Sequence, residues 1–297
     1  MLMSLNLHGW PAGSLFNNPR TSLTPSNTEK ISIVIPTLNQ ADTIEDTLLS
    51  IVNQDYQNFE IIVIDGGSTD KTQMILKEYR SWITHSEYGI DSCQSDAINK
   101  GFDLATGSIF AWINSDDYYL PGAFSRVMKI FQDNRNSDIV VGAGDIVTKD
   151  CRFLKRINPM VLQRKNLISW LRGDGEWIMQ QSCFWKSRIW KDSDGVDLKL
   201  NLLMDVDLWF QFAKLGATST TDHPIAVMRY YPEIKTVSLK ENVKEEAAYI
   251  LARHGAYSEV RQIVKDLVKE NKILSNEIER RNQKLIFRGL KRLGLEL

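Results

Sequence analysis

Two adjacent carboxylates, Asp116 and Asp117, follow the apolar run at residues 109–113. An isolated buried carboxylate costs several kcal/mol, so two at the end of a buried segment need a stabilising partner. A hard divalent cation is one such partner, since Mg²⁺ binds through one or two carboxylates plus substrate phosphates. A solvated turn is the competing reading, because Asp and Ser are ordinary turn formers. Asp65 ends a second apolar run, 61–64, and is followed by Gly66-Gly67, a pair that lets backbone turn sharply or approach a ligand. A carboxylate there can accept hydrogen bonds from a base or ribose. It can equally shape a turn before a helix capped by Ser68 or Asp70. Asp205 and Asp207 open a helical segment in which Asp205, Leu208, Trp209, Phe212 and Ala213 share one face. That spacing sets Asp205 at the head of the buried stripe and turns Asp207 away. Partial burial raises a carboxyl pKa toward working pH, which makes Asp205 a general-base candidate. Favourable placement against the helix dipole is the alternative. His85 and His223 stand alone without ligand spacing and read as structural or surface residues. Neither GxGxxG nor GxxxxGK[ST] occurs, so the dinucleotide fingerprint and the P-loop are unsupported.

These residues need elements to position them. Residues 31–35 are a nearly continuous β-branched run stopped by Pro36, and 61–64 and 109–113 are similar. Such runs read as strands buried on both faces, as in a parallel sheet. Between them lie helical patterns at 44–52, 72–79 and 94–105. Asp42 is expected to cap the first of these, with Glu45 completing a capping box. A short strand is read at 82–84, a helix at 123–131 and a strand at 139–143. Strand–helix alternation over the first 145 or so residues predicts βαβ units and a largely parallel sheet covered on both sides. Ligands bind such sheets beyond the carboxyl ends of the strands, where the polar clusters fall. Residues 174–190 are aromatic-rich and irregular, and 201–215 read as a helix. Residues 1–30 read as a loose tail with no signal-peptide pattern.

The chain has 297 residues, 43% hydrophobic and 25% charged, as in ordinary globular proteins. With 36 basic and 37 acidic residues, no global basic field for nucleic acid exists. No apolar run approaches the roughly 18 residues of a membrane span. Three cysteines without a CxxC pair fit a reduced, cytoplasmic setting. Residues 241–283 are charged helical segments in which Val260, Val264, Leu267, Leu274 and Ile278 lie near one stripe, better read as an interhelical seam than a ligand site. The basic, apolar end, 285–297, can pack on the body or lie peripherally on a membrane.

Five segments in order resemble the family-2 glycosyltransferases. They are Ile31-Ser32-Ile33-Val34-Ile35-Pro36-Thr37-Leu38-Asn39, Val63-Ile64-Asp65-Gly66-Gly67-Ser68-Thr69-Asp70, Gln94-Ser95-Asp96-Ala97-Ile98-Asn99-Lys100-Gly101, Asn114-Ser115-Asp116-Asp117-Tyr118-Tyr119-Leu120-Pro121-Gly122 and Met204-Asp205-Val206-Asp207-Leu208-Trp209. The resemblance covers about 31–240. It implies a GT-A fold: an α/β, Rossmann-like, mostly parallel central sheet flanked by helices. Here 31–145 would bind the nucleotide sugar, 146–240 would face the acceptor, and 241–297 would be a helical C-terminal extension. It implies that Pro36, Thr37, Asn39, Asp65, Asp91, Asp96 and Asp116 contact the donor, that Asp117 ligates Mg²⁺ or Mn²⁺, and that Asp205 is the catalytic base. Trp209, Gln180 and Gln181 would lie on the acceptor side. Position 66 is Gly and position 231 is Tyr, where many relatives have an acid and a His.

The resemblance further implies inverting transfer from a nucleotide-diphosphate sugar, UDP-sugars being commonest, to a glycan or lipid-linked hydroxyl acceptor in bacterial envelope or exopolysaccharide assembly. A sugar nucleotidyltransferase would need a Gly/Arg/Lys-rich loop after the first strand, and Pro36-Thr37-Leu38-Asn39-Gln40 has none. A non-catalytic sugar-nucleotide or glycan binder is the remaining alternative.

Overall fold

The computed structural model describes residues 7–10, 29–89, 91–232 and 242–292, with side chains as far as residue 281. Two compact units are formed, residues 1–243 and 244–297. In the first, β1 (Ile31–Thr37), β2 (Phe59–Asp65), β3 (Ile83–Tyr88) and β4 (Ile109–Trp112) pair in parallel in the order β3-β2-β1-β4. Every residue of β1, β2 and β4 is buried, because helices cover both faces. Ile31, Ile33 and Ile35 share a core with α1 (Ile44–Val52) and α4 (Ala123–Asp133). On the other face, α3 (Gln94–Leu104) approaches so closely that a Cβ on Gly101 would meet Val34 Cγ1 at 2.4 Å.

Beyond β4 the sheet becomes mixed. It continues through β8 (Cys183–Lys186), β6 (Ile139–Thr148), β9 (Thr218–Tyr230) and β5 (Tyr118–Tyr119), with β7 (Phe153–Ile157) paired to β6. Strand β8 runs antiparallel between β4 and β6, so β6 follows the parallel strands in sequence without touching them. Trp185 on β8 carries the core of this half. It packs edge-on against Trp209 and Phe212 of α7 (Met204–Leu215), with centroids at 5.9 and 5.3 Å. The remaining helices of this unit are α2 (Thr72–Glu78), α5 (Arg164–Arg172) and α6 (Ser187–Lys191).

Two local expectations fail. Asp42 does not cap α1; Thr43 occupies the cap position without a side-chain bond to the helix, and its hydroxyl donates to the carbonyl of Ser115 at 3.0 Å. The tail is not loose throughout. Leu7 is buried, His8 Nε2 lies 3.0 Å from Asp145 Oδ2, and Trp10 Nε1 donates to the Tyr119 carbonyl at 2.8 Å. The rest of the first 28 residues lies outside the described residues.

In the second unit, α8 (Val243–Arg253) turns at Gly255 into the 36-residue α9 (Tyr257–Arg292). Lys244 Nζ bridges to Glu270 at 2.7 Å. Among the described residues no helix is long and apolar enough to cross a membrane. The side chains of the basic end, 285–297, lie outside the described residues.

Candidate active site

A cavity of about 690 Å³ opens at the carboxyl ends of the parallel strands. Its wall takes Pro36 and Thr37 from the end of β1, Gly66 from beyond β2, Asp91 from beyond β3, and Trp112 with Asn114–Asp117 from the end of β4. The first turn of α7 adds Met204 and Asp205, and a short 3-10 turn adds Gln180 and Gln181. This is the crevice that an open parallel sheet leaves beyond its strand ends.

The acidic segment is held from behind by α1. Thr43, Thr47, Ser50 and Gln54 recur at helical spacing and are all buried. Thr43 Oγ1 donates to the Ser115 carbonyl and Thr47 Oγ1 to that of Asp117 at 2.6 Å. Ser50 Oγ accepts from Tyr119 N at 3.1 Å, and Gln54 Nε2 donates to the Leu120 carbonyl at 2.9 Å. A buried loop must satisfy its backbone polar groups, and this helix face does so for residues 115–120. The sequence reading missed these residues; a buried polar stripe on an otherwise apolar helix is the signal that marks them.

Asp117 is almost wholly buried. One oxygen accepts from Gln181 Nε2 and the other from Arg229 N at 3.0 Å. Burial, and then the charge of Asp116, push its carboxyl well above the usual range, against the pull of those bonds. Asp116 is less buried and accepts from the Tyr231 hydroxyl at 2.8 Å. Tyr231 thus serves as a donor to the acidic pair, and its own pKa is raised by burial and by Asp116. Arg229 is 2% exposed; it pairs with Asp46 of α1, donates to the Asp116 carbonyl at 2.7 Å and lies over the Tyr118 ring.

The other expected residues divide. Pro36, Thr37, Asp91, Asp116, Asp117, Gln180, Gln181 and Asp205 all line the cavity. Thr37 Oγ1 and Gln180 Oε1 are buried with no hydrogen-bond partner among the described residues. Asp91 is ion-paired with Lys100 at 3.1 Å and lies against Gly66, where an added Cβ would stand 3.2 Å from its Oδ2. Asn39, Asp65, Asp96 and Trp209 are not in the wall. Asp65 Oδ1 accepts from Gly67 N and Ser68 N, and Oδ2 from Gln73, so it shapes the loop. Asn39 Oδ1 accepts from Thr69 N at 2.8 Å. Asp96 accepts from Ser92 N and pairs with Lys100. Trp209 is fully buried in the aromatic core.

The burial expected of Asp207 is also corrected. Asp207 is fully buried and accepts from Gln211 Nε2 at 3.0 Å, while Asp205 is only partly buried. The stripe misled because α7 is covered nearly all round, from Val206 to Phe212. His85 and His223 are exposed and not in the cavity wall, as are Asp174 and Glu176. Trp170 and Trp177, not singled out in the sequence, both line it.

The arrangement agrees with a sequence match. Residues 32–187 match the family described as Glycosyl transferase family 2. The chain belongs to this family. An uncharacterized glycosyltransferase of Rickettsia typhi is 28% identical over 219 residues, which cover 73% of this chain and 68% of that one. A PGL/p-HBAD biosynthesis glycosyltransferase of Mycobacterium bovis is 35% identical over 128 residues, 41% of this chain and 48% of that one. The chain thus spans about half the length of the second relative. The 1-349 fragment of S. aureus TarS, solved in complex with UDP-GlcNAc, superposes with a TM-score of 0.60 at 18% identity over 79% of this chain and 71% of that one. The fold is therefore GT-A.

The charge in this family-2 cavity bears on the metal. Its wall carries four carboxylates, Asp91, Asp116, Asp117 and Asp205, and one cationic side chain, Arg229, whose charge is already engaged by Asp46. Asp91 is likewise engaged, by Lys100, so Asp116, Asp117 and Asp205 are the acidic groups a diphosphate would meet there. The hard oxygen donors of Asp116 and Asp117 suit Mg²⁺ or Mn²⁺. Among the described residues no group of three or more His, Cys, Asp or Glu could hold a metal.

Proposed function

We propose that this chain is an inverting glycosyltransferase. It would move a sugar from a nucleotide-diphosphate sugar, with UDP-sugars the first donors to test, onto an acceptor hydroxyl in bacterial cell-envelope or exopolysaccharide assembly on the cytoplasmic side. The observation that carries the reading is a single cavity at the parallel strand ends that holds both the Asp116–Asp117 pair and, from a different helix, Asp205. The TarS structure with UDP-GlcNAc and the naming of the M. bovis relative support the donor class and the envelope setting.

Asp205 would accept the proton of the acceptor hydroxyl as that oxygen attacks the anomeric carbon, a general-base step. One displacement inverts the carbon, and no carboxylate is needed as a nucleophile. Thr37 and Gln180 line the part of the cavity in which the donor would sit. Trp170 and Trp177 would present apolar faces to sugar rings on the acceptor side, beside Gln181. A divalent cation held by Asp116 and Asp117 would offset the charge of the leaving diphosphate. Tyr231 and Gln181 fix the orientation of those carboxylates.

The test has two steps. Thermal unfolding with UDP, GDP, CDP and dTDP, each with Mg²⁺, Mn²⁺ or EDTA, should show one nucleotide that stabilises only with metal. At 100 times its dissociation constant the shift corresponds to about 2.7 kcal/mol. Asp205→Asn should then bind that nucleotide as the parent does and lose transfer by about 10²–10⁴-fold. Unchanged turnover would sink the assignment of the base. A folded sample that answers to no nucleotide would favour a non-catalytic glycan binder.

A further inference from the structure

The C-terminal unit carries a pattern that transfer chemistry does not use. Helix α9 has 36 residues, or about 54 Å, against about 16 Å for α8. The Lys244–Glu270 bridge marks where α8 runs out along it. From Val264 to Arg281 every residue of α9 is exposed, yet the apolar stripe continues, with Val264 51%, Leu267 40%, Leu274 56% and Ile278 59% exposed. A helix of this length gains most of its stability in water from packing an apolar face.

The stripe has a heptad register. Val264, Asn271 and Ile278 occupy successive a positions, and Val260, Leu267 and Leu274 successive d positions. β-branched residues at a with Leu at d favour two parallel strands, and a single Asn at an a position fixes register and strand number. The flanking charges agree. In a parallel pair Glu270 and Glu277 at g face Ser275 and Asn282 at e of the other strand. In an antiparallel pair Glu270 would meet Glu277 of the second copy, and Asn271 would face a leucine. We infer that α9 forms a parallel, in-register two-stranded coiled coil with a second copy of this chain, making the protein a homodimer with Asn271 packed against Asn271.

The full-length chain is tested by sedimentation or light scattering at about 10–50 µM. The parent should have twice the chain mass. Leu267→Glu with Leu274→Glu should have the single-chain mass, with the thermal transition of the residue 1–243 unit unmoved. Asn271→Val, which cannot weaken the apolar seam, should give a mixture extending to trimers or larger. Leu274→Cys should crosslink to itself on mild oxidation, whereas the parent, with Cys93, Cys151 and Cys183 elsewhere, should not. A monomeric parent, or a dimer that survives the double glutamate variant, would overturn the dimer. A dimer whose Leu274→Cys variant fails to crosslink would overturn the parallel register. Asn271→Val remaining strictly dimeric would remove the role given to Asn271.

Discussion

Arg229→Met separates the energetics of the acidic site from those of the surrounding core. The guanidinium is 2% exposed and its partner Asp46 is 6% exposed. In the parent, burial outweighs the pull of the Arg229 charge and hydrogen bond, so the Asp46 carboxyl stands above its usual range. Without the arginine, Asp46 is a buried carboxylate facing no cation, and its cheapest escape is to take up a proton. At pH 7 that costs about 4 kcal/mol relative to an unfolded carboxyl of pKa about 3.9, at about 1.36 kcal/mol per pH unit. This agrees with the roughly 3–5 kcal/mol typical of breaking a buried pair from one side. The sign follows from linkage. The variant's folded Asp46 has its pKa raised above the unfolded value, so its penalty grows as pH rises and shrinks as pH falls. Urea unfolding of parent and variant should therefore differ by up to about 4 kcal/mol at pH 7 and by up to about 2 kcal/mol at pH 5.5. Asp46→Asn combined with Arg229→Met should recover most of the loss, because no buried charge remains. A loss equal at both pH values, or a double variant no more stable than the single, would refute the reasoning.

Other perturbations test other parts of the molecule. Burial alone would raise Glu60, but bonds from Lys30, Ser32 and Thr106 hold it down at about 2. Its contribution of about 3 kcal/mol is complete above about pH 5 and is lost as pH falls toward 2, so Glu60→Gln should flatten acid unfolding in that window. An unchanged acid profile would count against it. Because Glu60 lies at the opening end of β2, remote in strand direction from the cavity, nucleotide-induced stabilisation should be unaffected. Thr47→Val leaves the buried Asp117 carbonyl without its 2.6 Å donor and should cost about 1–3 kcal/mol. It should also reduce the metal-dependent part of nucleotide stabilisation, whereas a stability loss without that reduction would mean that α1 does not position the acidic segment.

The parallel half was legible because a strand buried on both faces leaves a nearly unbroken apolar run. Strands β1, β2 and β4 each did so, with the polar residue that ends each run placed at the cavity or its supporting loop. The second half was not legible by the same rule. Strand β8 is four residues between a 3-10 turn and α6, and only its pairing with β4 and β6, distant in sequence, makes it a strand. Strand β9 buries none of its first seven residues and then three in a row, Ile225, Ala226 and Val227, and its register with β6 shifts around Ala143, so it shows no strand period in the sequence.

The two acids of α7 show where sequence spacing loses its power. A hydrophobic stripe distinguishes inside from outside only when one side of the helix meets water, and α7 offers no such contrast from Val206 to Phe212. Both acids lie in the first turn, about 200° apart around the helix: Asp205 faces the cavity, while Asp207 is buried on another side, where Gln211 one turn on donates to it. The same logic runs in reverse on α1. There an apolar-looking helix hides a polar face, Thr43, Thr47, Ser50 and Gln54, whose partners are backbone atoms of residues 115–120, together with Asp46, which holds Arg229. The chemistry assigned to Asp116 and Asp117 thus depends on side chains some 70 residues earlier that never touch the cavity. A helix face and a buried polar stripe, both set by burial rather than by motif, determine which carboxylates can act.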